Sequence, residues 1–456
     1  MERPLGAAEQ AEAEAPYPNP TYAWYVVGLL LVAYTVSFID RQILALLVGP
    51  IKRDLGLSDT AFSLLTGFAF ALFYTLFGLV IARIVDSRSR RGLVMAGVAF
   101  WSIMTAACGL AKGFWHLFAA RVGVGIGEAT LTPAANSLIA DYFPPHKLGR
   151  AISVYSLGIP IGSAIAFLLG GAVIDVVEDL PPQDLPVLGP TYGWQLAFFI
   201  VGLPGVLLAI VLGTIKEPVR RGLMKGREGG LPLGEAMAYF RARWRVYGAH
   251  FTGLAGLALL GYGSTSWIIA FFQRTHGISA SDAGYIFGAV LATAGIAGIL
   301  AGGFWADRLL NQGKKDAHMR VLLLATALGL LPGLAFPLMP ELWLAIPVLF
   351  LSAFFSNMPW GTAYAALGAI TPNELRGQAA AAYLFVVNII GYGLGPTIYA
   401  LFTDFVFRDE MKLNYSFFAV TAIITPISIV IFWLGRKPFA RAIEEAEARR
   451  AGAAGG

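Results

Sequence analysis

The chain has 456 residues, of which 57% are hydrophobic and only 13% are Asp, Glu, Lys or Arg. Its apolar residues come in blocks of about 20 separated by short polar breaks, which excludes an ordinary soluble domain and indicates many membrane crossings. The formal net charge of +5 does not indicate nucleic-acid binding, because the basic residues flank the apolar blocks and no base-stacking aromatics are interleaved with them.

In chain order, residues 1–22 are rich in Ala, Glu and Pro and lack an apolar stretch. This composition predicts a disordered tail without a cleavable signal peptide. Twelve hydrophobic spans follow, so we predict an all-α membrane protein with twelve transmembrane helices. The predicted spans start near Ala23, Ala61, Leu93, Phe114, Ala151, Trp194, Val246, Ala283, Val321, Leu342, Ala379 and Tyr415.

The longest polar interruption, at residues 216–245, falls after the sixth span. We interpret it as a cytoplasmic linker with a surface helix near its end. It divides the chain into two predicted six-helix bundles, at 23–215 and 246–436, which a cytoplasmic tail follows at 437–456.

The two halves repeat each other in sequence. GRAISVY at 149–155 parallels GQAAAAY at 377–383, and ARIVDSR at 82–88 parallels GFWADRL at 303–309. An internal repeat of this kind predicts two pseudo-symmetric bundles around a central cavity, with a substrate site near the bilayer midplane.

Lys and Arg residues are concentrated in alternate loops and in the segment after the twelfth span. Loops on the cytoplasmic side carry the excess of basic residues in membrane proteins. We therefore predict that both termini are cytoplasmic and that the chain lies in the cell (inner) membrane.

Residues 37–44 read SFIDRQIL and place Asp40 beside Arg41 inside the first span, at a depth where an ionised group is expensive. Neighbours on a helix point about 100° apart, so each of the two needs a partner on another helix. The fourth span supplies Arg121 and Glu128, seven residues apart on one helix face. Helix depths predict one bridge from Asp40 to Arg121 and another from Arg41 to Glu128.

Several motifs resemble those of a known transporter family. VDSRSRR and GGFWADR are similar to the loop motif after the second and eighth helices of the major facilitator superfamily. RVGVGIGEA and LGIPIGSAIAFLLGG resemble the fourth- and fifth-helix motifs of that superfamily. The resemblance covers all twelve spans and implies transport by alternating access.

Within the superfamily, AYTVSFIDRQILA, RVGVGIGEATLTPAANSLIADYFP, SLGIPIGS and YGWQLAFFIVGLPG resemble the spinster family. Characterised spinsters move lysophospholipids or sphingosine-1-phosphate, which implies a lipid substrate. Animal spinsters usually show a histidine and an acidic residue near where this chain has Asn388 and Tyr392. The DR and GEA motifs also resemble the anion:cation symporters, which carry sugar acids and other small organic anions with protons.

The resemblance implies a cytoplasmic gate at the loop motif and its repeat. In the superfamily an aspartate of this motif pairs with an arginine and a helix N-terminus. The alternative is that these residues are ordinary loop charges. The candidate gate residues are Asp86, Arg90, Arg91, Asp307 and Arg308.

The charges inside the spans allow two interpretations. The bridges either only fix the packing of the first and fourth helices, or serve transport. Buried pairs are poor stabilisers, whereas ionisable groups inside a membrane usually mark an ion or substrate path. We therefore predict that Asp40 and Glu128 accept protons and that Arg41 and Arg121 bind an anion.

All four of these charges lie in the first half, so we expect a cavity that is polar on one side and apolar on the other. An amphipathic anionic lipid suits this asymmetry, and a small organic anion such as a sugar acid is the alternative. A non-transporting lipid sensor or a scramblase is the alternative from another class. The predicted cavity residues are Tyr34, Ser37, Trp267, Asn357, Trp360, Tyr383 and Asn388.

Enzymatic motifs are absent from the sequence. There is no HExxH, no paired Cys/His spacing and no phosphate loop, so we expect no enzyme, metal or other cofactor. The expected partners are the cargo, protons and membrane lipids, with the protein acting as a monomer. The histidines fall in loops or at span ends, which predicts surface positions for His116, His146, His250, His276 and His318.

Overall fold

The computed structural model describes residues 17–177, 180–185, 189–220, 233–372 and 375–454. Within these ranges, eleven helical segments are long and apolar enough to cross a membrane, by length and composition. Each begins within a few residues of a predicted start. The segments are Pro20–Leu46, Asp59–Val85, Arg90–Cys108, His146–Val177, Gly193–Leu212, Trp244–His276, Ala280–Asn311, Ala317–Leu338, Leu342–Ile370, Arg376–Phe407 and Glu410–Ala448.

In the described residues before the predicted linker, the chain forms ten α-helices. They are α1 (Pro20–Leu46), α2 (Val48–Leu55), α3 (Asp59–Ser63), α4 (Ala69–Ser87), α5 (Arg90–Cys108), α6 (Phe114–Glu128), α7 (Leu131–Tyr142), α8 (Pro145–Ser156), α9 (Gly158–Val177) and α10 (Gly193–Leu212).

The remaining α-helices begin in the predicted linker and continue to the end of the described chain. They are α11 (Leu233–Ala242), α12 (Trp244–His276), α13 (Ala280–Val290), α14 (Ile296–Asn311), α15 (Ala317–Ala335), α16 (Leu342–Asn357), α17 (Ala363–Ile370), α18 (Arg376–Val387), α19 (Gly395–Leu401) and α20 (Leu413–Ala454).

Wider and tighter helical turns join several of these helices. Four π-helical segments lie at Leu64–Phe68, Leu291–Gly295, Asn388–Leu394 and Phe402–Phe407. Short 3₁₀ turns lie at Phe336–Leu338, Met358–Gly361 and Glu410–Lys412. The first two π segments interrupt the second and eighth predicted spans, which are equivalent in the internal repeat.

The fourth predicted span is divided into α6 and α7 at Ala129 and Thr130. Pro133 follows four residues after Ala129, and its ring clashes with a helical carbonyl at that distance while it offers no N–H to bond. Neither half reaches the length of a full span, so the structure gives eleven spans in the described residues, and the twelfth stays a prediction.

A small β-hairpin lies between the fifth and sixth predicted spans, where the sequence predicted only helix and loop. β1 (Gln183–Leu185) pairs antiparallel with β2 (Gly189–Thr191). The preceding Pro181 and Pro182 disfavour a helix here, and Gly189 adopts a left-handed φ of 72° that suits glycine. The hairpin is a local addition to the loop, and the predicted all-helical architecture is confirmed.

The described ends of the chain differ in part from the predicted tails. Residues 1–16 of the predicted N-terminal tail lie outside the described residues, and α1 begins at Pro20. The predicted surface helix of the linker is present as α11. Helix α20 runs for 42 residues and continues past the predicted boundary at 436.

The chain forms two compact units. Unit 1 consists of Met1–Ile43, Leu72–Leu169 and Val173–Glu228, and unit 2 of Leu44–Ala71, Gly170–Ala172 and Gly229–Gly456.

Each unit has its own core. In unit 1 Trp101, Phe167 and Phe198 are fully buried. In unit 2 the core includes Tyr247 and Leu254 of α12, packed with side chains of α15, α17, α18 and α20. The six-plus-six bundle limits stay a prediction.

Candidate functional site

Unit 1 buries four ionisable side chains on two helices. Asp40 and Arg41 lie on α1, while Arg121 and Glu128 lie on α6. The residues Asp40 and Arg121 are each 0% exposed, and Glu128 is 1% exposed. The structure therefore brings together the four residues that the sequence singled out.

Arg41 and Glu128 form one of the two predicted bridges. Arg41 Nε donates to Glu128 Oε2 at 2.5 Å. The guanidinium also lies over the rings of Phe38 and Tyr74, at 4.9 Å from each centroid. Aromatic faces attract a cation, so the charge of Arg41 is held by one carboxylate and two rings.

Asp40 meets Arg121 differently from the prediction. Arg121 Nη1 donates to the backbone carbonyl of Asp40 at 3.3 Å, and both carboxylate oxygens of Asp40 are buried without a hydrogen-bond partner. Arg121 attracts this carboxylate electrostatically, and Trp101 and Thr105 face it, but neither donor reaches hydrogen-bonding geometry. A buried acid with donors close but not engaged is suited to exchange a proton.

The two carboxyl groups also act on each other. Glu128 repels the ionised form of Asp40, and Arg121 attracts both acids. A charge on one acid therefore opposes a charge on the other.

The predicted cavity residues of unit 1 lie one to two turns before Asp40. Tyr34 is half-buried and stacks on Tyr155, with centroids 4.8 Å apart and ring planes inclined by 11°. Ser37 is buried, and its hydroxyl donates to the Tyr34 carbonyl at 3.0 Å. Tyr34 thus keeps surface for a ligand, whereas the Ser37 hydroxyl is engaged with its own helix.

The predicted cavity residues of unit 2 divide in the same way. Trp267 and Tyr383 are each 1% exposed, and Trp267 Nε1 donates to the Pro396 carbonyl at 2.9 Å. Neither offers surface to a cargo in this conformation. Trp360, Asn388 and Asn357 are partly exposed.

Two candidate gate residues of the first loop motif are engaged inside unit 1. Arg90 is buried and forms ion pairs with Asp141 and, at 2.8 Å, with Glu217. Its guanidinium also donates to the Pro218 carbonyl at 3.0 Å. The backbone N–H of Arg91 donates to Glu217 at 2.9 Å. Glu217 therefore ties the start of α5 to the segment after α10.

The repeated motif is arranged differently. Asp307 and Arg308 are both exposed near the end of α14, and the side chain of Asp86 lies outside the described residues. Just before α15, the buried Asp316 accepts hydrogen bonds from Arg320 at 2.5 Å and from Arg436 at 2.8 Å. The gate function of these motifs stays a prediction.

Glu217 gives a pH prediction. Burial opposes its ionisation, but hydrogen bonds from Arg90, Arg91 and Ser89 outweigh burial and hold the pKa of Glu217 below its ordinary value. The ionised form therefore stabilises the fold above about pH 4.3, the ordinary glutamate pKa, and this contribution is lost as the pH falls through the lowered pKa. We expect Glu217→Gln to weaken the acid-induced fall in melting temperature.

Melting temperatures measured between pH 7 and pH 3 check this expectation. The matched control is Glu235→Gln, because Glu235 is an exposed acid on α11. An unchanged acid profile in Glu217→Gln contradicts the prediction.

A buried ionic cluster in unit 2 was missed by the sequence analysis. Asp59 is 0% exposed and accepts two hydrogen bonds from Arg274, at 2.6 and 2.8 Å. Lys52 also pairs with Asp59 and, at 2.6 Å, with Glu410. Thr403 donates to Asp59 at 3.2 Å. We call Lys52, Asp59, Arg274 and Glu410 the ionic clasp.

The ionic clasp fixes the segment between the first two spans to α12 and to the turn before α20. Lys52 and Arg274 drew attention in the sequence only as loop charges that indicate topology. The signal that could have found the clasp is the coincidence of an acid at a helix start with basic residues at the same membrane edge.

The prediction that all five histidines lie at the surface is wrong for two of them. His250 on α12 is 0% exposed and His318 on α15 is 6% exposed. His318 Nδ1 lies 2.5 Å from Thr362 Oγ1. Both histidines lie close to helix ends, but neighbouring helices cover those ends, which span counting does not reveal.

Comparisons with known proteins agree with this architecture. The model of the Major Facilitator Superfamily matches residues 30–313 and 252–454. An MFS-type efflux pump of Mycolicibacterium smegmatis is 31% identical over 468 residues, covering 98% of this chain and 100% of that protein. A probable L-galactonate transporter of Escherichia coli is 25% identical over 307 residues, covering 64% and 63%.

A solved structure is also similar over nearly the whole chain. It is the crystal structure of a bacterial homologue of the human lysosomal transporter Spinster in an inward-facing and unoccupied conformation. The TM-score is 0.77 at 28% sequence identity, and the match covers 94% of this chain and 99% of that one.

Proposed function

Since this chain belongs to the major facilitator superfamily, we propose that it is a secondary transporter that moves an amphipathic anionic lipid by alternating access, driven by protons. The observation that carries the proposal is the buried set of Asp40, Arg41, Arg121 and Glu128. The resemblance to spinster proteins supports the lipid class.

Burying Asp40, Arg41 and Glu128 away from water costs desolvation free energy. Desolvating an ion pair offsets most of its attraction, so the pair of Arg41 and Glu128 is a weak reason for stability. Two unbonded carboxylate oxygens on Asp40 add a further penalty. Because the four charges contribute so little to stability, we infer that they serve the movement of protons or substrate through the membrane.

The proposed cycle follows from the contacts. A proton on Glu128 neutralises the partner of Arg41, and a proton on Asp40 removes the charge that attracts Arg121. The arginines are then available to an anionic headgroup. Deprotonation restores the internal attractions, the headgroup loses its counter-charges, and the cargo leaves.

The cargo class follows from the polarity of the two halves. Asp40, Arg41, Arg121 and Glu128 all lie in unit 1. In unit 2, Trp360, Asn357 and Asn388 are partly exposed. A lipid anion needs counter-charges for its headgroup and apolar surface for its tail, and its tail needs no hydrogen bonds. A sugar acid needs hydrogen bonds on every side, because unpaired polar groups are costly when buried.

Symport of a small organic anion is the second candidate. The similarity to a probable L-galactonate transporter favours it, and the same four charged residues serve a small carboxylate equally well. A small organic anion has no long apolar tail, so the two candidate cargoes can be compared directly in one transport assay.

Flux into liposomes tests the proposal. We expect the purified protein to move a labelled lysophospholipid, and to accumulate it about tenfold for each proton carried when a difference of one pH unit is imposed. Uptake of labelled galactonate is measured under the same conditions and compared with uptake of the lysophospholipid. Uptake of galactonate alone favours the second candidate.

Two further outcomes contradict transport driven by protons. A lipid sensor binds lysophospholipid but moves none, and a scramblase equilibrates the lipid at the same rate with and without the pH difference. Protein-free liposomes and the variant Asp40→Asn provide the baselines.

A further inference from the structure

His250 is a buried imidazole that the proposed transport cycle does not use. It lies on the inner face of α12 between Tyr247 and Leu254, which belong to the core of unit 2. It is 0% exposed, and neither ring nitrogen has a hydrogen-bond partner. An imidazole with both nitrogens unpaired is unfavourable in a packed core, so an ordinary packing role does not explain it.

Side chains of α12 itself and of two other helices surround His250. The ring of Tyr383 on α18 lies 5.5 Å away, and the ring of Phe251 on α12 lies 6.1 Å away. His318 on α15 acts on His250 electrostatically.

Among the described residues, no acid is in direct contact with His250. The titratable groups that face it are His318 and Tyr383, and Tyr247 lies one turn earlier on the same helix. The exposed Asp307 acts on His318, and the nearby Asp316 is engaged by Arg320 and Arg436.

We propose that His250 is a second proton-binding site, independent of Asp40 and Glu128, which takes up its proton when α12 and α18 separate around the ring. In the packed conformation a charged imidazole would lie among Tyr383 and Phe251 without a counter-charge, which is very unfavourable. In an opened conformation water reaches the ring, and an imidazole in water titrates near pH 6.5. Protons therefore bind the opened conformation and increase its population.

The expected size of the effect follows from linkage. If the ring is neutral when packed and titrates near pH 6.5 when opened, the ratio of opened to packed protein rises about tenfold between pH 7.5 and pH 5.5. This rise depends on neither the cargo nor the coupling acids of unit 1. A failure of the proposed transport function would leave it unchanged.

Hydrogen exchange of the full-length protein in nanodiscs tests the proposal. The readout is the protection of backbone amides in residues 244–259 and 376–387 at the two pH values, corrected for the intrinsic pH dependence of exchange. We expect about a tenfold loss of protection at pH 5.5 in the unmodified protein, and the same protection at both pH values in His250→Gln. The control His116→Gln removes an exposed histidine and keeps the response.

Further variants separate folding defects and the neighbouring histidine. His250→Phe fills the site with an apolar ring and is also expected to lack the response. A tenfold response that persists in both His250 variants overturns the proposal, as does its absence from the unmodified protein. Loss of the response in His318→Gln alone assigns the proton to His318 and likewise overturns the proposal.

Discussion

Glu128→Gln is expected to lose accumulation of cargo driven by a pH difference, a loss of about tenfold for each proton carried across one pH unit. Glutamine keeps the size and polarity of Glu128 but takes up no proton, so Arg41 is no longer returned to an ionised partner at 2.5 Å. The measurement is proton-driven flux of labelled lysophospholipid in liposomes. Asp40→Asn is expected to show the same defect, because asparagine likewise takes up no proton at the other buried acid.

The control for this prediction separates coupling from folding. Glu341→Gln changes an exposed acid before α16 and is expected to keep full coupling. Flux down the cargo's own concentration gradient, without a pH difference, reports whether each variant still folds and binds. Undiminished coupling in both Asp40→Asn and Glu128→Gln contradicts the proton-accepting role and leaves a packing role for the four charges.

Asp59→Ala is expected to destabilise unit 2 by about 3–5 kcal/mol, the usual cost of removing one partner from a buried ion pair. Asp59 accepts from Arg274, Lys52 and Thr403 in the ionic clasp. Its loss leaves the two basic groups with the exposed Glu410 as their remaining acid in the clasp. The measurement is the melting temperature of the purified protein, which we expect to fall.

Labelling of an introduced cysteine tests what the ionic clasp holds in place. Ser63 lies at the end of α3 and is buried, so Ser63→Cys is expected to react slowly with a thiol reagent in the parent and faster when Asp59→Ala is added. The natural Cys108 is itself buried and gives little background. Asp54→Ala, an exposed acid on α2, is the control, and equal labelling in all three backgrounds contradicts a holding role.

Most of the helical architecture was predictable because membrane spans have a strong, local signal. Blocks of about 20 apolar residues identify a span without knowledge of its neighbours, and the predicted starts agree with the eleven segments found. The break between α6 and α7 was harder to predict, since prolines are tolerated in many transmembrane helices. Here Pro204, Pro332 and Pro426 lie within continuous helices, and Pro133 follows a break.

The candidate site was predictable to the extent that it depends on charge inside the membrane. Asp40, Arg41, Arg121 and Glu128 were found from depth and helix periodicity alone, and the contact between Arg41 and Glu128 agrees with the predicted pair. The contact of Arg121 with the Asp40 backbone was not predictable, because it depends on the rotation of α1 by a fraction of a turn.

Features built from residues far apart in the chain gave only a weak sequence signal. Arg274 is 215 residues from Asp59 in the ionic clasp, and each residue alone is an ordinary charge at a helix end. Burial of His250 likewise depends on α15 and α18 covering the start of α12. These long-range contacts depend on how the helices pack together. The periodicity of a single helix does not determine that packing.

Helix α20 has a mechanical consequence for measuring movement in this protein. Its 42 residues make a rod about 63 Å long, roughly twice the hydrocarbon thickness of a bilayer. A rigid rod works as a lever, so a tilt of about 10° at one end displaces the other by about 11 Å. A spectroscopic probe at the exposed Ala448 thus magnifies small rotations that a probe within the membrane would barely register.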